Sequence, residues 1–259
     1  MRGHFIVVVI LVLICLLTVG CSDQSDDTSE NIELTISAAA SLKDAMDEIQ
    51  KNYVQEHSGV TLKMNFGGSG SLMQQISQGA PVDLFLSAAE DKFLELVDEG
   101  VIDKKDSANL LGNELVLIVP AGKSDIASFK DLTKEKVDKI SIGTPETVPA
   151  GKYAKESLGH LNMWKSAETK VVYAKDVRQV LSYVETGNVD AGIVYKTDAL
   201  ISDKVEIVAA ADPSTYTPIT YPIGIIKNSE HYEAASDFYS YLQSDAARQV
   251  FEQYGFTVD

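Results

Sequence analysis

Residues 32–66 read IELTISAAASLKDAMDEIQKNYVQEHSGVTLKMNF, and their patterning decides the fold. Ile32 to Ser37 alternates apolar and polar side chains, and so does Val60 to Phe66, which is the period-two signature of strands. Between them Leu42, Ala45, Met46, Ile49 and Tyr53 recur at helical spacing. A strand, a helix and a second strand in this order make a β-α-β unit.

Outward from that unit the alternation continues. A helix from Ser71 is predicted, then a strand at Asp83 to Ser87, a helix through Phe93, Leu96 and Val97, and a wholly apolar strand at Leu115 to Val119. Beyond it come a strand at Ile140 to Gly143, a helix from Pro149, a strand at Val171 to Tyr173, a helix through Val177, Val180, Leu181 and Val184, and a strand at Ala191 to Val194. Alternating strands and helices give an α/β fold. Two such series, separated by the apolar run at 115–119, predict two lobes, each a mainly parallel sheet flanked by helices. The helical pattern from Tyr232 to Tyr254 is assigned to the first lobe. Lobe 1 is therefore read as 32–114 plus 223–259, and lobe 2 as 115–222. The charged runs Asp103 to Asp106 and Lys130 to Lys139 read as solvated helix or loop faces.

Composition narrows the function. The 259 residues are 45% hydrophobic and 23% charged, enough to bury full cores. A net charge of -16 repels phosphate backbones, so no nucleic acid partner is expected. Cys15 and Cys21 are the only cysteines, and both precede the periodic part of the chain, which excludes a disulfide or thiolate metal site there. His4, His57, His160 and His231 are widely separated.

The first residues read as a secretory signal at 1–20, with Arg2, an apolar run from Phe5 to Leu17, and small residues before Cys21. The run is too short to span a membrane. Gly20-Cys21 with Leu17 close behind resembles a bacterial lipobox, which implies a lipid on Cys21. Residues 21–31 lack large apolar side chains and carry four acids, as a solvated tether would. Together they predict a domain lipid-anchored at the extracytoplasmic face of the cell membrane.

Four loops open helices after strands: Ser41 with Asp44 three residues on, read as a capping box; Gly67-Gly68-Ser69-Gly70-Ser71; Val148-Pro149-Ala150-Gly151; and Asp176-Val177. In an α/β sheet such loops share the carboxyl edge, and their unpaired N–H groups suit an anion. Nucleotide binding is disfavoured: the glycine loop lacks a Gly-Lys-Ser/Thr ending, and Met73 stands where a dinucleotide fingerprint needs glycine.

Ala38-Ala39-Ala40-Ser41-Leu42, Gly79-Ala80-Pro81-Val82-Asp83-Leu84-Phe85, Leu111-Gly112-Asn113, Val148-Pro149-Ala150-Gly151-Lys152-Tyr153-Ala154, Asp176-Val177-Arg178, Gly192-Ile193-Val194-Tyr195 and Tyr254-Gly255-Phe256 closely resemble the molybdate-binding proteins of ABC importers. The resemblance spans about residues 33–258. It implies a type II substrate-binding-protein fold, a monomer whose two lobes close over an oxyanion, and delivery to an ABC permease with its ATPase. It implies ligand contacts at Ser41 and Ser69 from lobe 1, and at Ala150, Val177 and Tyr195 from lobe 2. Molybdate or tungstate is then the ligand, molybdenum is held only as the oxyanion, and no cofactor or catalytic residue is implied.

All five positions offer neutral donors, either hydroxyls or main-chain N–H groups. A fully deprotonated tetrahedral dianion accepts on every oxygen, whereas hydrogen phosphate carries a proton that needs an acceptor. With no carboxylate or histidine titrating at such a site, affinity should be flat from about pH 6.5 to 8.5. Arg178 reads either as support for its loop or as a surface residue. Two rival functions stay open: a binding protein for sulfate or another oxyanion, and a hydrolase using Ser41 or Ser69. Gly67-Gly68-Ser69-Gly70-Ser71 lacks the last glycine of a nucleophile elbow.

Overall fold

The computed structural model of the chain describes residues 31–122 and 125–258. The expectations for the signal at 1–20, for Cys21 and for the tether up to residue 30 lie outside these residues. Strand β1 (Ile32–Ala39) passes through a 3-10 turn (Ala40–Leu42) into helix α1 (Lys43–Glu56), and β2 (Val60–Gly67) pairs parallel to β1 from Ile32 with Val60 to Ala39 with Gly67. Helix α1 buries Ala45, Met46, Ile49 and Tyr53, as their spacing requires. Next come α2 (Ser69–Ser77), β3 (Leu84–Leu86), α3 (Glu90–Asp98) and β4 (Ile102–Gly112).

The second series starts with β5 (Leu115–Pro120), whose Leu115 to Val119 are at most 1% exposed because helices cover both faces of its sheet. It continues through β6 (Ile140–Gly143), α4 (Pro149–His160), the short α5 (Trp164–Ala167), β7 (Val171–Ala174), α6 (Val177–Glu185), β8 (Ala191–Tyr195), α7 (Lys196–Leu200) and β9 (Val205–Ala210). Strand β10 (Thr220–Ile226) then returns to the first sheet, followed by α8 (Tyr232–Leu242), α9 (Asp245–Gln253) and β11 (Thr257–Val258).

The sheets run β11-β4-β10-β3-β1-β2 and β7-β6-β8-β5-β9. Both are mixed, with most strands in one direction: β10 and β11 are reversed in the first sheet and β5 in the second. The pairs β1–β2, β1–β3, β6–β7 and β6–β8 are parallel, and the remainder are antiparallel. The cause is the double crossing between sheets. Strands β1 to β4 and β6 to β9 end at the junction, whereas β5 and β10 begin there and must oppose their neighbours. Two further differences are local. The charged run at Asp103 lies on β4, a strand, and the C-terminal helical pattern breaks in two where the Ser244 side chain caps α9 by accepting from Ala247 N–H at 3.4 Å.

Glycine lets the two halves approach closely at one point. A Cβ on Gly68 would stand 2.7 Å from the Thr147 carbonyl oxygen, and Gly70 N–H donates to that same oxygen at 3.0 Å.

Candidate functional site

The ends of β1, β2, β3, β6, β7 and β8 all open on the junction, so the loops that follow them meet there, as ligand loops do in open α/β sheets. They enclose a small cavity lined by Ser41, Ser69, Ala150, Val177 and Tyr195, together with Ala39, Ala40, Gly67, Gly68, Ala88, Val148 and Pro149. All five residues singled out from the sequence therefore share one space. Its volume is about 10 Å³, the scale of a single water molecule, and no lining residue carries a charge. A far larger groove of about 790 Å³ elsewhere, walled by Lys136, Glu185, Asp190 and Lys204, mixes both signs of charge and shares none of these residues.

Each donor has a local cause. Ala150 is the second residue of α4, after Pro149 at a helix start, and Val177 is the first of α6. Backbone N–H groups in a first helical turn have no intrahelical acceptor and sit at the positive end of the helix dipole. Asp176 caps α6, its Oδ1 accepting from Gln179 N–H at 2.9 Å. Ser69 opens α2 fully buried, and its Oγ accepts from Ala88 N–H at 2.9 Å, which leaves its own proton to donate.

Ser41 departs from its expected role. It lies in the 3-10 turn and caps no helix; its Oγ is 2.9 Å from the hydroxyl of Tyr221. Asn113 extends that pair. Its Oδ1 accepts from Glu114 N–H at 2.9 Å, so its Nδ2 faces Tyr221 and donates to the hydroxyl at 3.1 Å. Either hydroxyl can donate in the Ser41–Tyr221 bond, and when Tyr221 donates, the Ser41 proton is available to a guest. Burial pushes the Tyr221 phenol far above its usual range, which keeps the relay neutral.

Tyr195 ends β8 with 1% exposure, and its hydroxyl has no hydrogen-bond partner among the described groups. An unpaired buried hydroxyl costs roughly 1 to 3 kcal/mol, so an acceptor placed against it gains that much. Burial also raises the Tyr195 phenol well above its usual value, so it stays a donor at neutral pH.

Further residues stand behind the donors. Tyr153 reaches from α4 to donate to the Ala88 carbonyl at 3.2 Å, joining the two halves. Arg178 sits between Asp44 on α1 and Asp198 on α7, with its Nε 2.8 Å from Asp198 Oδ1. Burial pushes the fully buried Asp198 carboxyl up to about 7, against the pull of Arg178. Asp198 is not among the cavity-lining residues. Asn113 and Tyr153 fall within motifs quoted above, and that was their only sequence signal, whereas Arg178 was read as loop support or surface and makes the contacts of a support. Among the described residues no cluster of His, Cys, Asp and Glu could hold a metal, and no helix is long and apolar enough to cross a membrane.

Two α/β halves meeting over an uncharged, donor-lined cavity define a two-lobed substrate-binding protein. Residues 34–257 match the family described as bacterial extracellular solute-binding proteins, and the chain belongs to that family. It is similar to YvgL of Bacillus subtilis strain 168, provisionally named an ABC transporter substrate-binding lipoprotein, with 58% identity over 94% of each chain. It is 37% identical to the molybdate-binding protein ModA of Haemophilus influenzae, over 87% of this chain and 90% of that one. Among solved structures it resembles the substrate-binding domain of a transporter from Clostridium difficile provisionally titled a molybdenum ABC transporter. That match has a TM-score of 0.68 and 45% identity, covering 88% of this chain and 99% of the other.

Proposed function

We propose that the protein binds molybdate, and tungstate with it, outside the cytoplasmic membrane and delivers it to an ABC permease. Ser41, Ser69, Ala150, Val177 and Tyr195 hold the ion, and a lipid on Cys21 keeps the protein at the membrane. The two sheets with their helices act as lobes that close over the ligand, and this closure is what a permease could read. The observation that carries the reading is the uncharged cavity between the lobes, where the buried Tyr195 hydroxyl meets helix-start N–H groups and two serines. Relatives named for molybdate support the choice of ion. The rival hydrolase lacks its chemistry: Ser41 Oγ is engaged by a tyrosine hydroxyl and Ser69 Oγ by a backbone N–H, with no histidine, carboxylate or lysine lining the cavity to act as base.

Calorimetric titration with molybdate, tungstate, sulfate and phosphate tests the reading. Molybdate and tungstate are expected to bind tightly and sulfate far more weakly, because a cleft sized for the larger ion leaves sulfate oxygens distant from some donors. At a thousandfold excess over Kd, molybdate should stabilise the fold by about 4 kcal/mol. Sulfate binding as tightly as molybdate would overturn the assignment in favour of a general oxyanion carrier.

Tyr195→Phe removes one bond to a charged guest. It should weaken molybdate binding by roughly 1.5 to 3 kcal/mol, about ten- to over a hundredfold, without lowering the melting temperature of the ligand-free protein. A Phe variant that binds as well as the parent would remove Tyr195 from the contact set.

A further inference from the structure

Arg178 is not one of the cavity-lining residues, yet its side chain is only 20% exposed and every polar group around it belongs to the junction. Its Nε–H is aimed at the Ala40 carbonyl at 3.2 Å, and Nη2 lies 3.4 Å from the Ser41 carbonyl and bonds the Asp44 carboxylate. Those three acceptors belong to the turn and helix that follow β1. From behind, Asp198 on α7 approaches Nε to 2.8 Å as an ion pair without hydrogen-bond alignment, the Nε–H being committed to Ala40. One guanidinium therefore ties a buried carboxylate of its own lobe to two carbonyls and a carboxylate of the other.

We propose that Arg178 is a positioning residue of the anion site: a clasp that holds the Ser41 turn against the start of α6 in the closed protein without touching the anion. The inference rests on the oxyanion reading above. Ala40 and Ser41 line the cavity on one side, and Val177, the neighbour of Arg178, lines it on the other. Fixing the two backbones together sets the spacing between donors contributed by different lobes, and spacing is what an ion of fixed radius tests. The charge of Arg178 is not what draws the anion, because Arg178 does not line the cavity and its guanidinium already faces two carboxyl groups. Asp198, with its side chain 0% exposed, holds the head group from behind, so the planar fork faces the opposite lobe. Lysine would offer a point charge in place of that fork.

The test is a set of Arg178→Gln, Arg178→Lys, Asp44→Asn and Arg178→Gln/Asp44→Asn proteins, each titrated with molybdate and melted without ligand. Arg178→Gln should weaken molybdate binding by about tenfold or more, and Arg178→Lys should restore only part of the loss. Asp44→Asn should weaken binding about threefold with an unchanged ligand-free melting temperature, because this exposed carboxylate meets Arg178 across the junction. The double variant should bind no worse than Arg178→Gln alone, a coupling in affinity that a residue serving only the stability of its own lobe would not show. If Arg178→Gln does not fold, Asp44→Asn decides by itself. Parent-like affinity in either single variant, or additive losses in the double, overturns the clasp while leaving the oxyanion reading intact. Wild-type protein that failed to bind molybdate would overturn both.

Discussion

Gly151→Ala is expected to cost about 3 kcal/mol or more of stability, lowering the melting temperature by roughly 6 to 12 °C, and to weaken molybdate binding about a hundredfold. Helix α4 lies backbone against backbone on the end of β6. A Cβ at Gly151 would stand 1.9 Å from the Gly143 carbonyl oxygen and 2.5 Å from its carbon. Both atoms belong to Gly143, which pairs with Ala174 of β7 and follows two residues, Ile140 and Ser141, that β8 also holds. The helix must lift instead, and it carries both Ala150 of the cavity and Tyr153, which bridges to Ala88. Helix propensity alone argues the other way, favouring alanine over glycine by about 1 kcal/mol. Calorimetry with titration separates the two effects. A variant as stable as the parent would show that the contact between α4 and β6 is slack.

Asp198 should make stability fall as pH rises toward neutrality. In the unfolded chain its carboxyl titrates near 3.8, and in the folded protein near 7, because burial disfavours the charge more than Arg178 favours it. Between those values the folded state holds one more proton than the unfolded one. Stability contributed by this group is thus greatest below the unfolded value, declines by at most about 1.4 kcal/mol per pH unit, and levels off above the folded value. Over the roughly three units between the two values, the ceiling is about 4 kcal/mol. Arg178 from α6, Asp44 from α1, Asp176 beside α6 and Tyr195 and Tyr221 from β8 and β10 are the charged or titratable groups that act on it. Urea unfolding at pH 5 and pH 7.5 should show the wild type losing stability relative to Asp198→Asn by about 2 kcal/mol or more. Parallel behaviour of the two proteins would place the folded carboxyl near its ordinary value.

Legibility in the sequence followed the range of the interactions. The β-α-β unit at 32–66 is local, and its alternation survives because one face of each strand is buried. The five cavity residues came from motifs that resemble those of molybdate-binding proteins; the local pattern alone gave only the four helix-opening loops. Strand β4 was not: Asp103, Lys104 and Lys105 hide a strand that exists because β10, more than a hundred residues later, pairs with it. Strand β10 in turn conceals itself with Pro222, which is tolerated where the register shifts between Tyr221 and Pro222. Asp44 looked like a helix-cap partner for Ser41, since nothing local announces an arginine 134 positions away. The Ser41–Tyr221 bond spans 180 positions and was invisible for the same reason.

The antiparallel placement of β10 also sets an order of assembly. The five strands from β5 to β9 form one uninterrupted stretch, so their sheet can complete itself once residue 210 has left the ribosome. The other sheet has to wait, because β10 is the only bridge between β3 and β4 and lies in the last forty residues of the chain. At about 5 to 20 residues per second, β3 and β4 spend several seconds without their shared partner. During translocation or synthesis the half made first is therefore finished last, and its unpaired edges are where a folding helper would be needed.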